Sequence, residues 1–290
     1  MNSIFLITVT GQQRVKENTR NFLFEAEKLM NIRQIGVDLR HLQGTSLETF
    51  YNLSVAIFVA GGNLSAGEVG CLLSHQEIYE TIVRENIEWA LVIEDDADLL
   101  IDSDLLMRLS KEWFHRGYEF VHLGPNLGGV LVGERQDKTG RALVPPLGAY
   151  AYWISLKGAF KLRTRRGAIG GLADWPIQMS KVKTRAVFNP LFYSGLENSV
   201  IENFQSEGAA SRVSLAYRPI RVIFSVSNKQ VLAEAISIYG FTTLLKFIFA
   251  NRIYKRIARI LSGTKKGRNN TYFLFHASKH FKFWRSSSTS

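Results

Sequence analysis

The sequence predicts an α/β sandwich with a mostly parallel central sheet, on three observations. Short apolar runs alternate with helical stripes through roughly the first 200 residues, the pattern of strand–helix–strand units. One run, Trp89-Ala90-Leu91-Val92-Ile93, delivers Glu94, Asp95 and Asp96 to its C-terminal end, where open α/β sheets bind their ligands. Just upstream, Ser65 stands three residues before Glu68 at the head of an apolar stripe, which is a capping-box signature.

The elements follow in order. Ser3 to Val9 reads as the first strand; this run of seven residues has no basic leader, so it is expected to be a strand rather than a signal peptide. After a helix, a second strand is expected near Ala56–Phe58. Val69, Leu72, Leu73, Ile78, Ile82 and Val83 then share one helical face, predicting a helix from about Ala66 to Glu85 that feeds the acidic strand. A helix near Leu105–His115 and a strand over Phe120–Leu123 come next. Gly124 to Pro146 is glycine-rich and reads as a loop, either an acceptor-side lid or a surface excursion. It lacks a following helix signature, so it is not a phosphate loop. A strand over Tyr150–Ile154 and a helix from Gly158 complete the order.

The acidic triplet needs a physical reason. Crowding like charges at a strand end costs free energy unless a cation or ligand compensates. Mg²⁺ and Mn²⁺ prefer oxygen ligands and share them with substrate phosphates. The structural alternative is a solvated turn capping a helix that begins near Asp102. The single cysteine, Cys71, excludes an intramolecular disulfide framework and suits a reducing cytoplasm. Next to Leu72 and Leu73 on a helix, it reads as a small buried hydrophobe rather than a nucleophile. His75 and His122 read as structural and stay outside the catalytic set.

Taken together, Gly67-Glu68, Gly70-Cys71 and Ser74-His75, a helical spacer and Glu94-Asp95-Asp96 resemble glycosyltransferase family 25, whose bacterial members act in lipopolysaccharide and lipooligosaccharide synthesis. The resemblance extends through Gly148–Ala159, Asp174 and Asn189-Pro190, over about residues 3–200. Arg14 stands where the family carries an arginine-rich turn, although the usual Asp or Asn of that turn is absent. The resemblance implies a GT-A-like nucleotide-sugar-binding fold. It implies a hexose, galactose first, moved from a UDP-sugar to a lipopolysaccharide or lipooligosaccharide core, by an inverting, metal-assisted transfer with Mn²⁺ or Mg²⁺.

Under that resemblance Asp96 is the first metal ligand, with Glu94 beside it. Glu94 or Asp95 binds the metal or the donor's ribose, and Asp95 is carried among the catalytic residues. An inverting transfer also needs a base for the acceptor hydroxyl. Asp174 matches a family aspartate and is that candidate; a helix N-cap before Trp175-Pro176 is the equal alternative. Arg14, Glu68 and Ser74 are donor- or acceptor-binding candidates, and Glu68 has the capping box as its alternative. Arg163, Arg165 and Arg166 read as a solvated helix end before a phosphate site.

Charge divides the chain. Residues 1–228 hold 24 Lys+Arg against 24 Asp+Glu, so the formal +11 resides in residues 229–290. A catalytic domain over 1–228 and a basic, aromatic tail over 229–290 are the expected domains. Within the tail, Arg252, Lys255, Arg256 and Arg259 face one side of a helical projection, opposite Ile253, Ile257, Ile260 and Leu261. That is a basic amphipathic helix suited to an anionic membrane surface. No run reaches about 18 apolar residues, so the expected location is cytoplasmic, peripheral at the inner face of the inner membrane. Nucleic acid is not an expected partner. Two other classes stay open: a metal-dependent phosphodiesterase or nuclease, and a catalytically silent glycan-assembly binding protein.

Overall fold

A computed structural model describes residues 2–9, 14–42, 45–53, 55–56, 63–124, 130–132, 139–144, 149–163, 179, 181–194 and 271–273, with 233, 236, 237 and 242. The elements are β1 (Ser3–Ile7), α1 (Glu17–Ala26), β2 (Asn31–Ile35), α2 (Thr45–Glu48), α3 (Ala66–Arg84), β3 (Trp89–Glu94), β4 (Ala97–Leu99), α4 (Ser103–His115), β5 (Phe120–His122), β6 (Val130–Val132), β7 (Thr139–Val144), β8 (Ala151–Ser155), α5 (Leu156–Leu162), β9 (Thr184–Val187), β10 (Phe192–Ser194) and β11 (Thr271–Phe273). Nine strands form one sheet in the order β11-β6-β7-β9-β5-β8-β3-β1-β2, and β4 and β10 form a separate pair.

The sheet is mixed, with most strands running the same way. β1 pairs in parallel with both β2 and β3, and β5 with β9. β8 runs antiparallel between β3 and β5. Antiparallel ladders join β7 to β9, β6 to β7 and β11 to β6. Six of the nine strands therefore share the direction of β1.

Strand alternation builds the two sides of the core. On one face of the sheet Ile4, Leu6, Trp89, Leu91, Ile93 and Trp153 meet Phe22 and Leu23 of α1 and Leu106, Leu109 and Trp113 of α4. On the other, Phe5, Ala90, Val92, Tyr152 and Ile154 meet Ile78 and Ile82 of α3 and Ala159 and Leu162 of α5. Trp153 stacks on Trp89 at 6.2 Å and takes the edge of Trp113 at 6.3 Å. This is a three-layer α/β/α arrangement.

The capping box at α3 is formed in full: Ser65 Oγ accepts the Glu68 N–H, and the Glu68 carboxylate accepts the Ser65 N–H at 2.9 Å. Asp102 caps α4 by accepting from the Asp104 and Leu105 amides. Glu119, 1% exposed, accepts both Lys161 Nζ bonds and the Lys183 amide, tying α5 to the sheet. Burial pushes the Glu119 carboxyl up, but Lys161, the Lys183 amide and Lys157 together hold it below its usual range.

Two expectations are corrected. No strand forms at Ala56: Leu53, Val55 and Ala56 are helical, Asn52 Oδ1 accepts the Val55 amide, and Ala56 N–H reaches Asn52 O at 2.9 Å. The asparagine cap turns an apolar run too short to declare its period into a helical turn. The stretch read as loop after Gly124 contains β6 and β7, whose short apolar runs gain ladders from β9 and from each other. Most of the tail, including the expected amphipathic helix and the boundary at 228, lies outside the described residues. From it, β11 extends the sheet edge along β6.

Candidate functional site

A cleft of ≈ 700 Å³, counting its open mouth, lies at the carboxyl ends of β1, β2 and β3, against the first half of α3. Its walls are Ile7 to Val9, Arg14, Val37 to Arg40, Ala66, Gly67, Gly70, Cys71 and Ser74, with Glu94, Asp95 and Asp96 together at one side. The parallel register sets Ile7 opposite Glu94, so the acids emerge beside the end of β1. The Asp95 amide donates to Ile7 O at 3.0 Å, and Thr8 Oγ1 donates to Asp95 Oδ2 at 2.8 Å.

The three acids occupy different environments. Glu94 Oε1 lies 3.3 Å from His75 Nε2 and 3.8 Å from Cys71 Sγ. Behind it, His75 Nδ1 lies 2.7 Å from the Tyr152 hydroxyl, which lies 3.3 Å from that of Tyr79. Burial pushes both tyrosines well above their ordinary range. Burial also raises Asp95, offset by the Thr8 hydrogen bond and the charge of Arg14.

Asp96 is the most perturbed of the three. Its Oδ2 accepts from Ser194 Oγ at 2.7 Å, a contact made because β4 pairs with β10 and sets Ser194 opposite Ala97. Its Oδ1 is buried without a hydrogen-bond partner among the described residues. Burial, then the neighbouring charge of Glu94, pushes the carboxyl up to about 6. A buried, unsatisfied carboxylate oxygen beside a second carboxylate is the environment a hard cation relieves.

The cleft also carries basic side chains. Arg14 lines the cleft, and Arg40 sits on its rim, where its Nε donates to Asp38 Oδ1 at 2.7 Å. The Arg40 hydrogen bonds hold the Asp38 carboxyl down at about 2. Sequence reasoning misses the Asp38-x-Arg40 pair, whose one signal is an oppositely charged i, i+2 pair shortly after a strand.

The remaining sequence candidates fall out as follows. Ser74 lines the cleft, but its hydroxyl donates to Gly70 O at 2.8 Å and accepts the Val37 amide at 3.0 Å, clipping α3 to the segment after β2. Glu68 closes the capping box. His122 lies in β5 against Phe120 and is absent from the cleft wall. Asp174, Arg165 and Arg166 lie outside the described residues. The residues that sequence reasoning sets aside and the structure brings in are Cys71, partly exposed in the cleft wall, and behind it His75. The signal for His75 is its place four residues after Cys71, on the same face of α3.

A Cβ on Gly70 would sit 2.5 Å from Val37 O, a backbone atom that cannot swing away. Gly70→Ala is therefore expected to destabilise the fold by about 1–3 kcal/mol through overpacking, read as a lower midpoint in urea unfolding with an unchanged slope.

Among the described residues, the group of three metal-ligating side chains whose donor atoms lie within 4.8 Å of one another is Cys71, His75 and Glu94. This is a mixed thiol, imidazole and carboxylate set around Glu94 that could hold a divalent cation, and Asp96, within electrostatic reach of Glu94, adds a carboxylate to the same cleft.

The family described as Glycosyltransferase family 25 (LPS biosynthesis protein) matches residues 1–124, which contain every cleft-wall residue named above. Procollagen galactosyltransferase 1 of Danio rerio is 26% identical over 177 residues, covering 56% of this chain and 28% of its own length. Procollagen galactosyltransferase 2 of Homo sapiens is 25% identical over 182 residues, covering 56% and 27%. A glycosyltransferase 25 family member of Drosophila melanogaster is 25% identical over 180 residues, covering 56% and 28%. The chain thus spans a little over a quarter of the length of these curated relatives. Among solved structures, A197 from STIV is similar with a TM-score of 0.39 at 13% identity, covering 68% of this chain and 87% of that one. Mannose-1-phosphate geranyltransferase from Thermus thermophilus has a TM-score of 0.33 at 11% identity, covering 66% and 75%. Residues 1–124 thus match the model of glycosyltransferase family 25, and the relatives the chain resembles include a named member of that family.

Proposed function

We propose that this chain transfers a hexose, galactose first, from a UDP-sugar to a lipopolysaccharide or lipooligosaccharide core acceptor, with inversion and with Mn²⁺ or Mg²⁺. The observation that carries the proposal is that two arginines and three strand-end carboxylates line one cleft, with the charge of Arg14 felt by Asp95. Acids alone would suit a bare cation, and arginines alone an anion. Both together suit a diphosphate bound with its metal. The galactosyltransferase names of the relatives favour transfer over phosphodiester hydrolysis or a silent binding role.

Each residue then has a task. Asp96, with Glu94 beside it, holds the cation, which when bound neutralises the charge of the departing diphosphate. Arg14 and Arg40 bind the same phosphates, and Asp38 fixes the Arg40 fork by hydrogen bonds. Thr8 orients Asp95 toward the donor's ribose. Asp174 takes the acceptor hydroxyl proton as the new glycosidic bond forms. Ser74 and Glu68 serve the site by fixing the near end of α3. A panel of nucleotide sugars, read by Mn²⁺-dependent hydrolysis and by protection against thermal unfolding, tests the reading: one UDP-hexose should stand out, whereas no response to any nucleotide sugar would refute it.

The acceptor side of the proposal rests on the basic tail. No helix among the described residues is long and apolar enough to cross a membrane. The basic residues of 229–290 are proposed to contact the leaflet that presents a lipid-linked acceptor, peripherally at the inner face of the inner membrane. Truncation after Gln230 is expected to leave transfer to a small soluble acceptor largely unchanged and to weaken transfer to membrane-embedded core. Vesicle flotation should show full-length protein bound to anionic lipid and released by added salt. A full-length chain that never floats, with a truncated one that aggregates, would make the tail a packing element of the core.

A further inference from the structure

Beside the position proposed for the hard cation, the cleft wall carries a donor set of different chemistry. Cys71 and His75 lie one turn apart on α3, and Glu94 closes the group from the last position of β3. All three donor atoms lie within 4.8 Å of one another, with Sγ to Oε1 at 3.8 Å and Nε2 to Oε1 at 3.3 Å. An ion with bonds of about 2.0–2.3 Å to tetrahedral ligands needs donor separations of roughly 3.3–3.5 Å. Two of the three edges are thus near their final length before any ion arrives.

The surroundings support ligation. His75 is 1% exposed, and its far nitrogen, Nδ1, lies 2.7 Å from Tyr152, whose hydroxyl donates in turn to Tyr79. With an ion bound, Nδ1–H would donate to Tyr152 and Nε2 would turn its lone pair to the ion, the orientation that outer partners impose on metal-binding histidines. Cys71 and Glu94 are only partly buried and line the cleft, so a fourth position opens to solvent. A thiolate and an imidazole select borderline-soft ions over Mg²⁺ or Mn²⁺.

We propose that Cys71, His75 and Glu94 form a site for a thiophilic divalent cation of the Zn²⁺ class, distinct from the hard-cation position at Asp96. Binding forms bonds to Sγ, Nε2 and a Glu94 oxygen, and the Cys71 thiol proton leaves to solvent. Because Glu94 serves both positions, an occupied thiophilic site withdraws it from the hard cation and suppresses transfer; this consequence, unlike the binding, rests on the proposed function.

The test uses the full chain under reducing conditions. Titration with Co²⁺ should produce a thiolate-to-cobalt charge-transfer band saturating at one equivalent, and Zn²⁺ should bleach it. Cys71→Ser should abolish the band and weaken Zn²⁺ binding in equilibrium dialysis by roughly 100-fold or more. Tyr152→Phe should retain the band with affinity lower by about 10–100-fold, the usual effect of losing an outer partner. If Cys71→Ser does not fold, Glu94→Gln tests the site instead, with the band kept and Zn²⁺ held more weakly. No charge-transfer band in the wild-type chain, or Zn²⁺ held equally by wild type and variants, would overturn the site. Where the band forms as expected but Zn²⁺ leaves transfer untouched, or no transfer exists to inhibit, the site stands and the fault lies with the functional reading.

Discussion

Asp96→Asn is expected to lower transfer by about 10²–10³-fold, the usual loss when one electrostatic contact to the transition state is removed, while making the metal-free protein more stable. The stability gain follows from the raised carboxyl. A folded-state value of about 6 against an ordinary 3.8 means that folding favours the protonated form. The stabilisation from that proton is fully present below about pH 4 and is lost as pH rises through 6, leaving a penalised carboxylate at neutral pH. Two pKa units correspond to at most about 3 kcal/mol. Asparagine keeps an oxygen for Ser194 and carries no charge, so the variant should melt a few degrees higher at pH 7.5 and almost level with wild type near pH 4. Mn²⁺ should raise the melting temperature of wild type but not of the variant. Calorimetric melts across this pH range, beside a transfer assay, check both halves; normal turnover in a folded variant would remove Asp96 from the site.

Asp174→Asn is expected to have the other large effect. If Asp174 takes the acceptor proton, the substitution should lower kcat by about 10²–10⁴-fold and leave UDP and Mn²⁺ binding nearly intact. The two variants would then separate the chemistry: Asp96→Asn loses the metal and with it the donor, Asp174→Asn only the proton transfer. Equal loss of binding and turnover in Asp174→Asn, or an unfolded protein, would return the residue to the helix N-cap reading, with Trp175-Pro176 as the first turn.

The parts of the fold legible in the sequence are those set by neighbours along the chain. The α3 helix is visible because Ser65 and Glu68 sit three apart and the apolar stripe has one period; it ends at Arg84, one residue from the expected Glu85. β3 is visible because a five-residue apolar run meets three acids. β8 is visible as a strand but not in direction, since all its residues are buried and nothing in Ala151–Ser155 encodes which way it enters the sheet. β4 and β10 have three residues each and exist through pairing with one another across the chain. That pairing supplies Ser194 to Asp96, 98 positions away, a contact beyond local pattern. His75 escapes a sequence reading because its helix reads as structural; its partners Glu94 and Tyr152 lie 19 and 77 residues away. The small residues Ala66, Gly67, Gly70, Cys71 and Ser74, rather than the stripe of large apolar ones, mark the face of α3 that approaches the cleft.

The measurement that bears most directly on the cleft as a sugar-nucleotide site is calorimetric titration of UDP into the full chain, with and without Mn²⁺. Saturable binding of one UDP per chain is expected, dependent on Mn²⁺, weakened by Arg14→Ala and by Arg40→Ala, and lost in Asp96→Asn. No binding of UDP in Mn²⁺, or binding that neither the metal nor any of these substitutions alters, would contradict a sugar-nucleotide site in this cleft.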